Sequence, residues 1–329
     1  LDVLRVLATC AVVLMHVLTG ATDVTDASIM PEYRSLLLSV MDLVTWCVPI
    51  FLLISGYLFL NPERTLTYPV MIKKYCRRIA LAILLFGVPY AASELVVAER
   101  TFRIRMIPEA LKMTLTGHTW SHMWYLYLIL FLYLITPLLK KVLRVLPVWG
   151  VGTVMAVIFL GSSVAPFLNK VLDVNSIPVL PDGGVYFLYY LCGYFFAVRE
   201  VCVDKGRNVW LTAAVAVLAL GMILSRTLAG FSIQMAYNYP FTVLLAVLLF
   251  AAGWNGSIKK HRIPWQEAGA LSFAVYLVHP VYVNLLYKFV KITPFTVLEQ
   301  CGVQSVAAGQ VVLILLLAAF CLVVLALAT

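Results

Sequence analysis

The chain has 329 residues, of which 63% are hydrophobic and only 12% are charged, against about 25% charged residues in a typical soluble domain. This balance, with a mean hydropathy of +0.98, excludes an ordinary soluble protein and predicts an integral membrane protein. The net charge of +9 is not gathered into the basic, aromatic-interleaved surface typical of nucleic-acid binding. The seven cysteines form no C-x-x-C pair, so neither a disulfide framework nor a zinc site is expected.

Long apolar segments occupy most of the chain, and each is continuous rather than alternating. Because a membrane-spanning helix needs about 20 mostly apolar residues, we expect an all-α polytopic protein with about ten transmembrane helices. We expect one transmembrane domain over residues 1–329, cut from or nearly equal to a longer chain. The predicted spans are 2–20, 37–59, 79–97, 122–139, 147–167, 184–199, 209–227, 239–256, 268–288 and 305–327.

Lysine and arginine in the loops predict the orientation, since cytoplasmic loops carry an excess of both. These residues are more numerous in the loops that follow the second, fourth, sixth and eighth spans. Both ends of the segment are therefore expected in the cytoplasm, in a multi-pass protein of the cell membrane. The 98–121 loop, with four cations, is the exception: it is either an external binding loop or a place where this topology fails.

Arg5 and His16 lie in the first span and are separated only by apolar or small residues. Eleven helical steps of about 100° end roughly 20° past three full turns, which places both side chains on one face about 16 Å apart. Ionisable residues within a span are costly and usually functional. Asp2 can pair with Arg5 at a spacing of three. Alternatively, Arg5 extends to the lipid headgroups and His16 is a hydrogen-bonded core histidine.

Three of the five histidines, His16, His122 and His279, are expected in one layer of the membrane's outer half under this orientation. His122 and Trp124 begin the fourth span, where an interfacial aromatic belt is the ordinary interpretation. His279 precedes Pro280, which frees a backbone carbonyl one turn earlier that this histidine can satisfy.

Two further motifs have both a structural and a functional interpretation. The cations Lys73, Lys74, Arg77 and Arg78 precede the third span. They either anchor it at the cytoplasmic face or bind an anion such as the phosphates of coenzyme A. Ser55 is followed by Gly56 in the second span, where small residues allow helices to pack closely.

Taken together, the motifs resemble those of the acyltransferase family 3 membrane proteins, which acylate sugars and cell-envelope components. The resemblance covers nearly the whole chain in order, and the Arg5-x10-His16 pattern is its most specific part. The matching motifs are Asp2 with Arg5 and His16, Ser55-Gly56-Tyr57, Arg77-Arg78-Ile79, His122-Met-Trp124-Tyr125-Leu126, Tyr133 to Pro137, Tyr190 to Tyr194, and Tyr276-Leu-Val-His279-Pro280.

The resemblance implies a fold of ten helices and a cytoplasmic acyl-CoA donor, commonly acetyl-CoA, with a hydroxyl acceptor on the outer side. Lys74 departs from the family pattern, where arginine is common. No hydrolase-like domain follows the last span within these residues. The chain is most similar to small O-acetyltransferases of surface glycans. It also resembles the membrane half of vancomycin-resistance serine racemases, whose proposed role is serine supply.

An acyl transfer needs a bound donor, a base and stabilisation of the oxyanion. We expect Arg5 and the cations Lys73, Lys74, Arg77 and Arg78 to bind acyl-CoA as a co-substrate, with no covalently bound cofactor and no metal. His16 is expected to act either as the general base or as a transient acyl carrier, with His279 as a second catalytic residue.

The substrate-binding candidates are His122, Trp124, Tyr276 and Ser55; of these, His122 and Tyr276, with His279, can orient the acceptor or stabilise the oxyanion. Two other functions fit the same sequence. One is a transporter of serine, another small solute or a glycan, and the other is a structural or regulatory membrane module.

The orientation predicts the side from which each loop is accessible. Single cysteines placed in a cysteine-free variant should react with an impermeant reagent from inside at 60–78 and from outside at 98–121, because of the lysine and arginine distribution. Labelling of both loops from the same side would contradict the ten-span topology between the second and fourth spans.

Overall fold

Helices form throughout the chain because the backbone groups of an apolar segment must find their hydrogen-bond partners within that segment. The structure is a computed structural model that describes residues 1–25, 31–199, 205–227, 236–254 and 264–329. Within these ranges the regular structure is entirely helical, which confirms the prediction of an all-α membrane protein. One of the seven cysteines, Cys202, one of the five histidines, His261, and the cations Lys259, Lys260 and Arg262 of the loop after the eighth predicted span lie outside the described residues.

The α-helices are numbered in chain order. They are α1 (Asp2–Thr25), α2 (Pro31–Val44), α3 (Cys47–Leu60), α4 (Tyr68–Val70), α5 (Arg77–Glu99), α6 (Met106–Leu115), α7 (Trp124–Val145), α8 (Val148–Phe159), α9 (Ala165–Val171), α10 (Gly184–Arg199), α11 (Lys205–Thr227), α12 (Pro240–Trp254), α13 (Trp265–Asn284), α14 (Pro294–Gln300) and α15 (Val306–Ala328). Three π-helical segments continue α4, α8 and α13: Met71–Cys76, Leu160–Val164 and Leu285–Phe289.

Helices occupy all ten predicted span positions. In the described part of the chain, seven helical segments are long and apolar enough to cross a membrane. They are Asp2–Val24, Tyr33–Leu60, Tyr68–Glu99, Ser121–Val145, Val148–Val171, Trp265–Phe289 and Val306–Ala328. The other three positions hold shorter apolar helices, at Gly184–Val198, Trp210–Ile223 and Pro240–Gly253.

The second predicted span is not one continuous helix. It is broken at residues 45–46, between α2 and α3. Pro49 has no N–H to donate to the carbonyl of Thr45, so the regular bonding pattern cannot pass this point. The Thr45 hydroxyl donates to the carbonyl of Met41 at 2.8 Å, and the Ile50 N–H donates to the carbonyl of Trp46 at 3.1 Å. A proline early in α3 thus explains the break.

The segment 98–121, expected as a loop, contains the helix α6. The carbonyl of Thr114 in α6 accepts a hydrogen bond of 2.5 Å from the hydroxyl of Tyr127. The guanidinium groups of Arg103 and Arg105 lie 3.3 and 3.7 Å from Glu99. Two of the four cations that weakened the charge argument are therefore paired with a carboxylate.

Contacts divide the chain into two units. The first contains residues 1–56 and 155–329, and the second contains residues 57–154. In the first unit, α1 packs on α13 and α15 through buried side chains that include Val13, Val17 and Leu317. The hydroxyl of Tyr287, just after α13, donates to the carbonyl of Val17 at 3.1 Å. This bond joins α1 to the π-helical end of α13.

In the second unit, α5 packs on α6, and α7 packs on the π-helical segment Met71–Cys76. Gly87 makes the first contact possible, since a Cβ there would lie 2.7 Å from the Thr114 side chain. The rings of Phe59, Tyr75 and Tyr133 form an aromatic cluster, with centroids 4.8 Å apart for Phe59 and Tyr75 and 4.7 Å for Phe59 and Tyr133. Aromatic side chains thus pack the end of α3 within this unit.

Gly56 brings α3 against the backbone of α10. A Cβ at this position would overlap the carbonyl oxygen of Tyr190, which belongs to the backbone and cannot rotate away. We therefore expect Gly56→Ala to destabilise the first unit by about 1–3 kcal/mol or more, measured as a lower thermal unfolding temperature in detergent. The matched control is Gly221→Ala, because a Cβ at Gly221 meets only open space. An equal effect of both substitutions would contradict the packing role of Gly56.

Candidate active site

Asp2 and Arg5 begin α1 and form an ion pair. The Arg5 Nη1 atom lies 2.7 Å from Asp2 Oδ1, and the side chains are 31% and 33% exposed. An acidic residue in the first turn of a helix also interacts favourably with the helix dipole. The side chain of Asp2 faces Gly269 of α13, where a Cβ would lie 3.1 Å from Asp2 Cβ. The predicted pair therefore forms where α1 closely approaches α13.

His16 and His279 meet on the contacting faces of α1 and α13. Their ring centroids are 5.0 Å apart, and the rings are tilted by 53°. His279 is completely buried, whereas His16 is partly buried. The ring of Tyr276 lies one helical turn away, 6.3 Å from the ring of His279. Three of the predicted site residues are thus brought together within the first unit.

The backbone of α13 fixes the proton position on His279. Its Nδ1 atom lies 3.0 Å from the carbonyl oxygen of Val275. A carbonyl can only accept a hydrogen bond, so Nδ1 carries the hydrogen and Nε2 keeps its lone pair. Pro280 has no N–H, so the carbonyl that lacks its helical donor is that of Tyr276. The acceptor of the His279 bond is the carbonyl of the residue before it, Val275. The His279 side chain therefore bonds to a different carbonyl from the one expected, and the Tyr276 carbonyl is not its acceptor.

Beyond His16, α1 contacts a group of tyrosines that sequence reasoning missed. The hydroxyl of Tyr237 donates to the sulfur of Met15 at 3.6 Å, and the hydroxyl of Tyr189 donates to the Tyr237 carbonyl at 2.6 Å. Burial raises the pKa of the Tyr237 phenol, and the neighbouring Cys47 and Tyr186 act in the same direction, so its hydroxyl stays protonated. Only the tertiary fold brings Tyr237 to α1, because more than 200 residues separate it from Met15.

An amide and a carboxylate lie next to these tyrosines. The amide nitrogen of Asn238 donates to Asp182 at 3.3 Å, and Asn238 directly follows Tyr237. Asp182 is exposed and precedes α10. The first unit thus combines aromatic rings with polar groups that can both donate and accept hydrogen bonds. No sequence motif pointed to Asp182 or Asn238.

His122 and Trp124 lie in the second unit. His122 is only 4% exposed, and its ring centroid is 5.6 Å from that of Tyr90. Tyr90 stacks on Trp120, with centroids 4.2 Å apart and planes 2° from parallel. Trp124 follows at the start of α7, with its ring 6.2 Å from that of Tyr125. His122 is therefore part of a packed aromatic group, which is more than an interfacial belt would require.

The four predicted anion-binding cations surround the start of α5. Lys73 and Lys74 lie in the π-helical segment Met71–Cys76, and Arg77 and Arg78 form the first turn of α5. All four are exposed. Within the described ranges, Lys73, Lys74 and Arg77 make no ion pair with a carboxylate. This leaves a concentration of positive charge that an anion can neutralise.

Ser55, the remaining candidate, is buried in α3 beside Gly56, with 9% of its surface exposed. Neither this residue nor its surroundings suggest a metal centre. Among the described residues, no group of three or more His, Cys, Asp or Glu side chains is placed to hold a metal ion.

The family model of the acyltransferase family 3 domain matches residues 1–329, which is the whole chain. The chain therefore belongs to acyltransferase family 3, and it is a membrane acyltransferase. No curated protein and no solved structure is significantly similar to it.

Proposed function

We propose that this protein transfers an acyl group, in the first instance acetyl, from cytoplasmic acyl-CoA to a hydroxyl of a cell-envelope sugar. The observation that carries the proposal is the contact between His16 and His279, whose ring centroids are 5.0 Å apart. The helix that holds His16 also carries the Arg5–Asp2 pair. The protein acts in the cytoplasmic membrane as a multi-pass protein with both ends of this segment in the cytoplasm.

His16 acts as the general base. Its imidazole removes the proton of the acceptor hydroxyl while the oxygen attacks the thioester carbonyl. The tetrahedral intermediate then collapses, the carbon–sulfur bond breaks, and the sulfur takes the proton back from the imidazolium. The products are the ester and CoA with a free thiol. The alternative is a transient acyl group on His16 itself, followed by attack of the acceptor.

His279 orients the base. With its Nδ1 hydrogen donated to the Val275 carbonyl, its Nε2 atom can only accept a hydrogen bond while the ring is neutral. An acceptor beside His16 favours the tautomer that keeps one imidazole nitrogen of His16 basic. It also stabilises the imidazolium that forms during proton transfer, as a carboxylate does in a catalytic triad.

The donor and acceptor have separate binding residues in this proposal. Arg5 and the cations Lys73, Lys74, Arg77 and Arg78 bind the donor, because arginine forks and lysine ammonium groups suit phosphates. His122, Trp124, Tyr276 and Ser55 bind the acceptor or stabilise the oxyanion. Asp182 and Tyr237 add hydrogen-bonding groups of the kind that sugar hydroxyls require.

A transporter of serine, another small solute or a glycan remains the second candidate. Its supporting observation is the irregular helix geometry: the break at 45–46 and the π-helical end of α13. Transport proteins often bind solutes at such interruptions, where backbone groups become accessible.

Substitution of His16 tests the proposed chemistry. We expect His16→Gln and His16→Ala to reduce transfer by about 10²–10⁴-fold while acyl-CoA binding is largely retained, because a base is needed only for the chemical step. The measurement is CoA release and acceptor acylation at matched protein levels. His118→Gln is the control, since His118 is an exposed histidine with its Nδ1 near Thr116.

Near wild-type turnover of His16→Gln would contradict a catalytic His16. Solute uptake by wild-type protein that shows no acyl transfer would favour the transporter instead.

Two substitutions of His279 distinguish the roles of its Nδ1 and Nε2 atoms. Asparagine places its amide near the Nδ1 position and can keep the bond to Val275, whereas glutamine reaches the Nε2 position. If Nε2 orients His16, His279→Asn should retain the wild-type unfolding temperature but lose at least about tenfold in kcat. His279→Gln should unfold at a lower temperature and retain more of kcat. The opposite order of the two kcat values would show that His279 has only a structural role, through its Nδ1 bond to Val275.

A further inference from the structure

Lys140 is a buried cation in the second unit, although its sequence position suggested a charge in a cytoplasmic loop. The helix α7 continues past it to Val145, and its side chain is only 5% exposed. Its ammonium group donates to the carbonyls of Phe59 at 3.5 Å, of Arg64 at 2.7 Å and of Asn61. An ammonium has three N–H donors, so Lys140 uses its full hydrogen-bonding capacity on one short segment.

This segment is the end of α3 and the turn that follows it. Carbonyl groups at the C-terminal end of a helix lack intrahelical partners and carry partial negative charge. A cation is therefore stabilised there, and in return it holds the turn in one conformation. Because the Arg64 carbonyl is one of the three acceptors, Lys140 fixes the backbone of the turn at Arg64.

The side chain of Arg64 is also held in place. Its Nη2 atom donates to the Tyr75 hydroxyl at 2.9 Å, and its Nη1 atom donates to the Leu58 carbonyl at 3.3 Å. Its Cζ atom lies 5.4 Å from the centre of the Phe59 ring, a distance typical of cation–π contacts. An arginine of this kind has lost much of its side-chain entropy before any ligand arrives, which favours binding.

Arg64 is nevertheless exposed and has no carboxylate partner in the described part of the chain. Only two of its five N–H groups are used in the hydrogen bonds above. The ammonium group of Lys74 lies 5.5 Å from the centre of the Tyr75 ring, whose hydroxyl is the acceptor of the Arg64 guanidinium. Arg64 and Arg144 are also near enough to Lys140 to interact with it electrostatically.

These cations form no ion pair within the described ranges, and like charges held together repel one another. A bound anion removes this repulsion, and a phosphate matches the guanidinium fork with two parallel hydrogen bonds. The fixed geometry of Arg64 distinguishes it from an ordinary cytoplasmic lysine or arginine, whose flexible side chain can reach headgroups in many conformations.

We propose that Arg64 is a phosphate-binding residue for the acyl donor, assisted by Lys74, and that Lys140 is the positioning residue that presents it. The proposal rests on the proposed function, in which the donor is acyl-CoA. The ligand is a phosphate group of the CoA nucleotide. A phospholipid headgroup offers the same chemistry and is the alternative source of phosphate.

The test uses the whole chain in nanodiscs of phosphatidylcholine, with acetyl-CoA and with S-acetylpantetheine, which has the same thioester but no phosphate. Arg64→Gln should weaken acetyl-CoA binding by about 10- to 100-fold, the usual range for a hydrogen bond to a charged group. It should lower kcat/KM for acetyl-CoA at least about tenfold more than kcat/KM for S-acetylpantetheine. The control is Arg103→Gln, because Arg103 is exposed and already paired with Glu99.

Lys140→Met should produce the same selective loss of acetyl-CoA affinity, whereas Lys141→Met should not, since Lys141 is an exposed lysine of the same helix. A merely structural role of Lys140 would lower activity with acetyl-CoA and with S-acetylpantetheine alike. A larger loss with acetyl-CoA therefore identifies a role in phosphate binding. If Lys140→Met fails to fold, Arg64→Gln still decides the proposal.

The outcomes separate this inference from the proposed function. Failure of the wild-type protein to bind acetyl-CoA would contradict the acyl-CoA donor itself. Acetyl-CoA binding that is equal in wild type and Arg64→Gln would overturn only the role of Arg64. A parallel measurement in nanodiscs that also contain anionic lipid covers the alternative: unchanged acetyl-CoA affinity of Arg64→Gln with weaker binding of the anionic lipid would assign Arg64 to headgroups and overturn the donor site.

Discussion

Polar groups that this chain carries into its apolar helices must find their partners within the protein, because hydrocarbon offers none. The Nδ1 atom of His279 satisfies this requirement through the Val275 carbonyl, and Arg5 satisfies it through Asp2. Lys140 satisfies it through the end of α3 and the following turn. Each of these contacts also restricts one group. The first selects the tautomer of His279, the second orients the Arg5 guanidinium, and the third fixes the backbone of the turn after α3.

The hydrogen bond that satisfies a buried polar group therefore also fixes its orientation and its protonated atom before a substrate binds. An imidazole in water exchanges its two tautomers, but His279 cannot do so without losing the buried hydrogen bond from its Nδ1 atom to Val275, which costs about 1–3 kcal/mol. Its Nε2 atom is consequently a permanent acceptor in the neutral state. A catalytic base gains from such a neighbour because the orientation exists before the substrate arrives.

Much of the fold could be predicted because it depends on local composition. Ten apolar runs became helices, and the pairing of Asp2 with Arg5 follows from their spacing of three residues on one helix. The break before α3 was missed, although Pro49 explains it. The helix α6 was missed because charged residues surround it.

The candidate site was less predictable because its contacts join residues far apart in the chain. Sequence placed His16 and His279 at a similar depth, but only the packing of α1 on α13 brings the two rings together. Tyr237 next to Met15 had no local signal at all. Lys140 was assigned to a loop because a lysine after an apolar run usually marks the end of a span. The side of each loop, the donor and the acceptor stay predictions, since the fold alone does not test them.

Acyl transfer from CoA makes two electrostatic demands that conflict at a single place. A general base works best with little water around it, because solvent weakens every local interaction. A phosphate needs exposed cations that it can reach from solution.

CoA itself resolves the conflict, since its pantetheine arm separates the thioester from the phosphates. Exposure in this chain differs in the same sense: the candidate base is partly buried against a fully buried histidine, whereas Arg64, Lys73, Lys74 and Arg77, which have no ion pair among the described residues, are exposed. Under the proposed function, an exposed anion-binding group and a partly buried base can therefore be optimised independently, because the pantetheine arm of the donor connects the two ends.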